Sequence, residues 1–148
     1  MTVGAIASSA VILSVENFKD FDEQIYISSQ KSGNFCTEAI QKVTKYVEDQ
    51  VLSDNRFNFQ AQFKAEKPTS REFLFYWADV IVFEIQYGRR VDFCNSLENK
   101  TLEETFNIIK EKALKISPVD YGAYYLKNAT FAYENGGGAR SWIYQSCT

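Results

Sequence analysis

Near the C-terminus, Arg140-x-Trp142-x-Tyr144-Gln145 brings a guanidinium, an indole, a phenol and an amide within six residues, between the glycines at 136 to 138 and Cys147. Loops of this make-up often line pockets, where aromatic faces pack on apolar groups and amide or guanidinium donors anchor polar ones. The same residues can instead pack on the rest of the chain, and composition leaves both readings open. Ser8 and Ser9 sit in a run of small residues and invite a nucleophile reading. No Gly-x-Ser-x-Gly elbow surrounds them, so the run reads better as small residues that let helices pack closely on a strand.

Other chemistry is excluded by what the 148 residues lack. There is no His, so neither a Ser-His-Asp nor a Cys-His arrangement can be completed within the chain, and no His-containing zinc site can form. The glycines, at 4, 33, 88, 122 and 136 to 138, make neither a dinucleotide fingerprint nor a phosphate loop. Acidic groups such as Asp20-x-Asp22-Glu23 and Glu103-Glu104 fall on helix faces or first turns, where they complement the helix dipole. A net charge of -3 argues against a nucleic-acid partner, which needs a basic face. No metal and no cofactor are expected.

Cys36, Cys94 and Cys147 are too scattered for a zinc ribbon or a CxxC motif, and their odd count permits one disulfide and one thiol. Two glycosylation acceptors occur, at Asn99-Lys-Thr101 and Asn128-Ala-Thr130, a tripeptide that chance also produces. No run is long enough for a membrane span. The apolar residues 3–15 lack the basic start of a signal peptide, the first Lys being Lys19, and read as a buried strand. Such a strand needs neighbours that no later segment supplies.

The elements that must position these groups are otherwise helical. Ser14 is placed to cap a helix with Val15, Phe18, Phe21 and Ile25 on one stripe, ending at Ser32-Gly33-Asn34. Cys36, Ile40, Val43, Val47 and Val51 recur at helical spacing, and residues 53–68 read as a polar, turn-rich stretch. Thr69-Ser-Arg-Glu72 is a capping box opening a helix with Phe73, Leu74, Trp77, Ala78, Ile81, Val82 and Ile85, expected at the centre of the core and ended by Gly88. Thr101-Leu-Glu-Glu104 is a second box, with Leu102, Phe106, Ile109, Ala113 and Ile116 behind it and Ser117-Pro118 as the stop. The expected order is one strand, four or five helices and an aromatic tail.

Both ends carry a resemblance. Gly4-Ala-Ile-Ala-Ser-Ser-Ala10 with Val15-x-x-Phe18, and Arg140-x-Trp-x-Tyr-Gln-x-Cys-Thr148, together resemble the serine peptidase family of lysosomal Pro-X carboxypeptidase, dipeptidyl peptidase II and thymus-specific serine protease. The middle, with Phe75-Tyr-Trp-Ala-Asp79 and Ile85-Gln-Tyr87, looks most like the thymus-specific and protist branch. The resemblance implies a mainly α chain: the helical cap inserted in an α/β-hydrolase, preceded by one core β-strand. Residues 1–13 would be that strand, 14–139 the cap, and 140–148 the return to the hydrolase core. The elbow serine would precede Met1, and the catalytic Asp and His would follow Thr148. By the same resemblance Trp142, Tyr144 and Gln145 lie near a proline pocket, and Cys36 pairs with Cys147, leaving Cys94 without a partner.

Two positions depart from the family pattern: Val11 stands where the family has Pro, and the Glu expected after Cys147-Thr148 is missing. The expected partners are the hydrolase core of the same enzyme and a peptide with proline near a terminus, with a homodimer left open. The implied location is lysosomal, vesicular or secreted. The alternative is a stand-alone helical binding module from a truncated gene.

Overall fold

A glycine turn and two threonine caps set the main helix boundaries. The computed structural model describes residues 21–116 and Pro118, and among these it is mainly α, without a strand. Six helices follow in order: α1 Phe21–Gln30, α2 Asn34–Leu52, α3 Arg56–Ala61, α4 Ser70–Gln86, α5 Arg90–Leu97 and α6 Leu102–Ala113. The strand expected over residues 1–13, the cap at Ser14 and the aromatic tail lie outside the described residues.

The chain reverses between α1 and α2 at Gly33, whose φ of 116° is a conformation L side chains rarely adopt. A Cβ there would stand 2.6 Å from the Phe35 ring, so glycine is needed for space as well as for φ. The break expected at Ser32-Gly33-Asn34 is therefore where the chain turns. Along α2 the stripe buries Cys36, Val43, Val47 and Val51, with Ile40 at its edge.

Both capping boxes form. Thr69 Oγ1 accepts from the Glu72 amide while Glu72 Oε2 accepts from the Thr69 amide at 2.7 Å. Thr101 and Glu104 repeat the exchange, with the Thr101 amide donating to Glu104 Oε2 at 2.8 Å. Each box satisfies amides that the first helical turn leaves without a carbonyl.

The helix α2 packs against all five others, and α4 packs against α1, α2, α5 and α6. Phe73, Tyr76, Trp77, Val80, Ile81 and Ile85 are buried. Trp77 is wholly enclosed, stacked 6.0 Å from Phe106 and edge-on to Phe63 at 6.1 Å. Of the remaining apolar positions expected there, Leu74 and Val82 are half-buried and Ala78 is exposed. On α6, Phe106, Ile109 and Ala113 are buried, but Leu102, in the first helical position, is 45 % exposed because it precedes the turn that meets the core.

Two helices were not expected. Residues 53–68 are more than a polar connection: α3 buries Phe59 and Gln60, and Phe63 and Ala65 follow into the core. Phe63 packs edge-on against Phe73 at 5.2 Å. The helix ends as Lys64 enters the left-handed region at φ 56°, with Ala65 N–H donating to the Gln60 carbonyl and Lys64 N–H to that of Ala61, the paired bonds of a Schellman turn. A helix of six residues has little intrinsic stability, so burial of the two phenylalanines holds it. Likewise α5, after Gly88, exists to bury Phe93, Cys94 and Leu97.

Candidate functional site

The residues expected at the pocket, Trp142, Tyr144 and Gln145, lie outside the described residues, as do Ser8, Ser9, Asn128 and Cys147. What the structure places is the helical frame from which the tail departs, and three features of that frame bear on function.

The first is the disulfide. Cys36, at the start of α2, is bonded to Cys94 in α5, with Cα atoms 5.1 Å apart. This corrects the Cys36–Cys147 pairing that the resemblance implied, and with it the expectation that Cys94 has no partner. The reason is tertiary. Arg90, opening α5, donates from Nε to Ser32 Oγ at 3.0 Å and from Nη1 to Ser28 Oγ at 3.3 Å. That anchor sets α5 against the α1–α2 turn and brings Cys94, one turn further on, beside Cys36. Nearby, Ser29 Oγ and Thr37 Oγ1 share a buried hydrogen bond at 2.9 Å.

The second is a clasp where the chain leaves α6. The Tyr76 hydroxyl donates to the Ala113 carbonyl at 2.6 Å, an oxygen that also accepts from the Ile116 amide at 2.9 Å in the turn closing α6. Burial pushes the Tyr76 hydroxyl up to about 12. Unfolded, a tyrosine titrates near about 10, so between these values the folded chain holds a proton that the unfolded chain has lost. Stability is therefore undiminished below about pH 10 and falls as pH rises toward about 12. We expect Tyr76→Phe to cost about 1–2 kcal/mol at neutral pH and to make the decline above pH 10 shallower. Urea unfolding at both ends of the window checks this, and an equally steep decline in the variant would mean another group carries it.

The third is Glu84, an acid inside the apolar α4 pattern. Its carboxylate is almost fully enclosed, accepting from Lys112 Nζ of α6 at 3.0 Å and from Arg89 Nη1 at 3.3 Å. With both oxygens engaged by cations, it ties α4 to α6 rather than standing free as an acid or base. The sequence signal was present, since Glu84 follows Val80 and Ile81 at the spacing that shares a buried face, but one acid among apolar residues names no partner.

Glu72 and Glu104 act as helix-start groups, each closing a capping box. Glu104 sits in the first turn of α6, and the Thr101 backbone amide, then its hydroxyl, holds its carboxyl below the usual range. Among the described residues no three His, Cys, Asp or Glu side chains gather to hold a metal. No helix among them is long and apolar enough to cross a membrane.

Comparison with known proteins supplies the context this frame lacks. The family model described as serine carboxypeptidase S28 matches residues 1–148. A protein of Arabidopsis thaliana named as a probable serine protease, EDA2, is 27 % identical over 157 aligned residues, which cover 100 % of this chain and 31 % of that relative. The chain thus spans about a third of the length of the curated relative it matches. No solved structure matches it. A whole-length family match, on a mainly helical chain, leads to one conclusion: this chain belongs to the serine carboxypeptidase S28 family.

Proposed function

We infer that the chain is the helical cap portion of a serine-type exopeptidase, with residues 1–13 as a strand of the hydrolase core, 14–139 as the cap and 140–148 as the return segment. The observation that carries this is a peptidase-family match across all 148 residues of a chain without a single His. A serine peptidase of the triad kind needs a base to take the hydroxyl proton, so the catalytic serine, Asp and His belong to residues beyond these. The cap would restrict access to chain ends. Trp142 and Tyr144 would pack on the pyrrolidine of a proline near the substrate terminus, and Gln145 would anchor the terminus itself. A buried disulfide persists in oxidising compartments, which supports a lysosomal, vesicular or secreted location.

The test uses the enzyme that carries this segment. It should release residues next to proline from peptide ends, whereas the 148-residue chain alone should hydrolyse nothing. Trp142→Ala and Gln145→Ala should each lower kcat/KM by about 10- to 100-fold, mainly through KM. Turnover by the isolated chain would remove the external triad from the account, and unchanged KM in both variants would remove the pocket.

One observation favours the alternative of a stand-alone helical module: the described helices enclose an aromatic core and a disulfide of their own. An in-frame Gly-x-Ser-x-Gly upstream, with Asp and His downstream, decides for the peptidase.

A further inference from the structure

We propose that Asn99 carries an N-linked glycan, which keeps the α5–α6 turn in solvent and excludes that end of the bundle from any contact with the rest of the enzyme. Asn99-Lys-Thr101 is an acceptor tripeptide, and the structure adds two independent supports. The first is geometric. Asn99 lies in the short turn between α5 and α6 at φ 56°, a conformation asparagine tolerates. Its side chain is exposed and makes no hydrogen bond among the described residues, and Glu98, Lys100 and Thr101 around it are exposed too. The helix that follows is capped by Thr101, so the Asn99 amide is not needed to hold the turn. An oligosaccharide there displaces only water.

The second support is chemical. Cys94, five residues before Asn99, is oxidised and fully buried with Cys36. The chain therefore folds where thiols are oxidised, and in a eukaryotic cell that is the lumen in which oligosaccharide transfer takes place. In the transfer, the Asn99 amide nitrogen attacks the anomeric carbon of a lipid-pyrophosphate-linked oligosaccharide. The C–N bond forms, the anomeric C–O bond breaks, the lipid pyrophosphate leaves with the electron pair, and the amide nitrogen loses one proton. No oxidant or reductant is involved.

Thr101 does two jobs, since the tripeptide needs its hydroxyl and α6 needs its cap, and this allows them to be separated. Aspartate caps a helix as well as threonine does but does not complete the acceptor. The full-length protein should be secreted from a eukaryotic host as the wild type and as Thr101→Ser, Thr101→Asp and Asn99→Gly, the last chosen because glycine suits φ 56°. After peptide N-glycosidase in heavy-oxygen water, the reduced tryptic peptide of residues 91–100 should show Asn99 converted to labelled Asp in the wild type and in Thr101→Ser. Thr101→Asp and Asn99→Gly should each migrate one glycan smaller, with Thr101→Asp still folded. Unlabelled Asn99 in secreted, disulfide-bonded wild type would overturn the proposal, as would unchanged migration of Thr101→Asp. The inference requires the secretory route but not peptidase activity, so an inactive yet glycosylated protein would count against the proposed function alone.

Discussion

Replacing both Cys36 and Cys94 by Ala is expected to lower the unfolding free energy by about 4 kcal/mol. The bond closes a loop across a sequence separation of 58 residues, and the chain entropy it withholds from the unfolded state scales with the logarithm of that length. Against a total stability of about 5–15 kcal/mol for a domain, this is enough to move the thermal midpoint by roughly 10 °C. Cys147→Ala should leave the midpoint where it is. Peptide mapping without reduction gives a second readout: trypsin should leave residues 32–42 joined to residues 91–100. Finding Cys36 joined to the C-terminal peptide would restore the Cys36–Cys147 pairing. Both sulfurs are fully enclosed, so the folded protein should resist mild reductant until it unfolds.

Trp77→Ala should cost about 3–5 kcal/mol, the range for emptying a large aromatic site in a packed core. The indole has no exposed surface and touches Phe63 and Phe106 from two sides, and those rings arrive from the turn after α3 and from α6, which cannot close the gap together without moving α4. Trp77→Phe should cost much less. It loses area, but the indole N–H has no acceptor among the described residues, so no hydrogen bond is given up. Phe57→Ala, at a site 60 % exposed on α3, should change stability by less than about 1 kcal/mol. Chemical unfolding of the three variants checks the ranking. Equal losses at Trp77 and Phe57 would mean the core is not where these helices place it.

The parts of this fold that could be read in advance are those set by neighbours in sequence. Gly33, the boxes at Thr69 and Thr101, and the stripe from Cys36 to Val51 each act within a turn or two of helix, where side chains three and four apart meet. The α3 helix is not legible in the sequence because its six residues show no periodicity and no side-chain cap, and its reason to exist is an aromatic site built by α4 and α6. The candidate pocket was read from Arg140, Trp142, Tyr144 and Gln145 and from resemblance. Its geometry depends on contacts those residues make with distant segments, which spacing along the chain does not encode.

The residues by themselves determined one thing this chain is unable to do: without His it supplies no His base for a triad. They also determined its helical character, because periodicity and capping are local properties. Tertiary structure decided which cysteine Cys36 meets, that Glu84 is enclosed between two cations, and that Asn99 stands in open solvent. Each of these depends on groups far apart along the chain being packed side by side, and only the closed bundle brings them together.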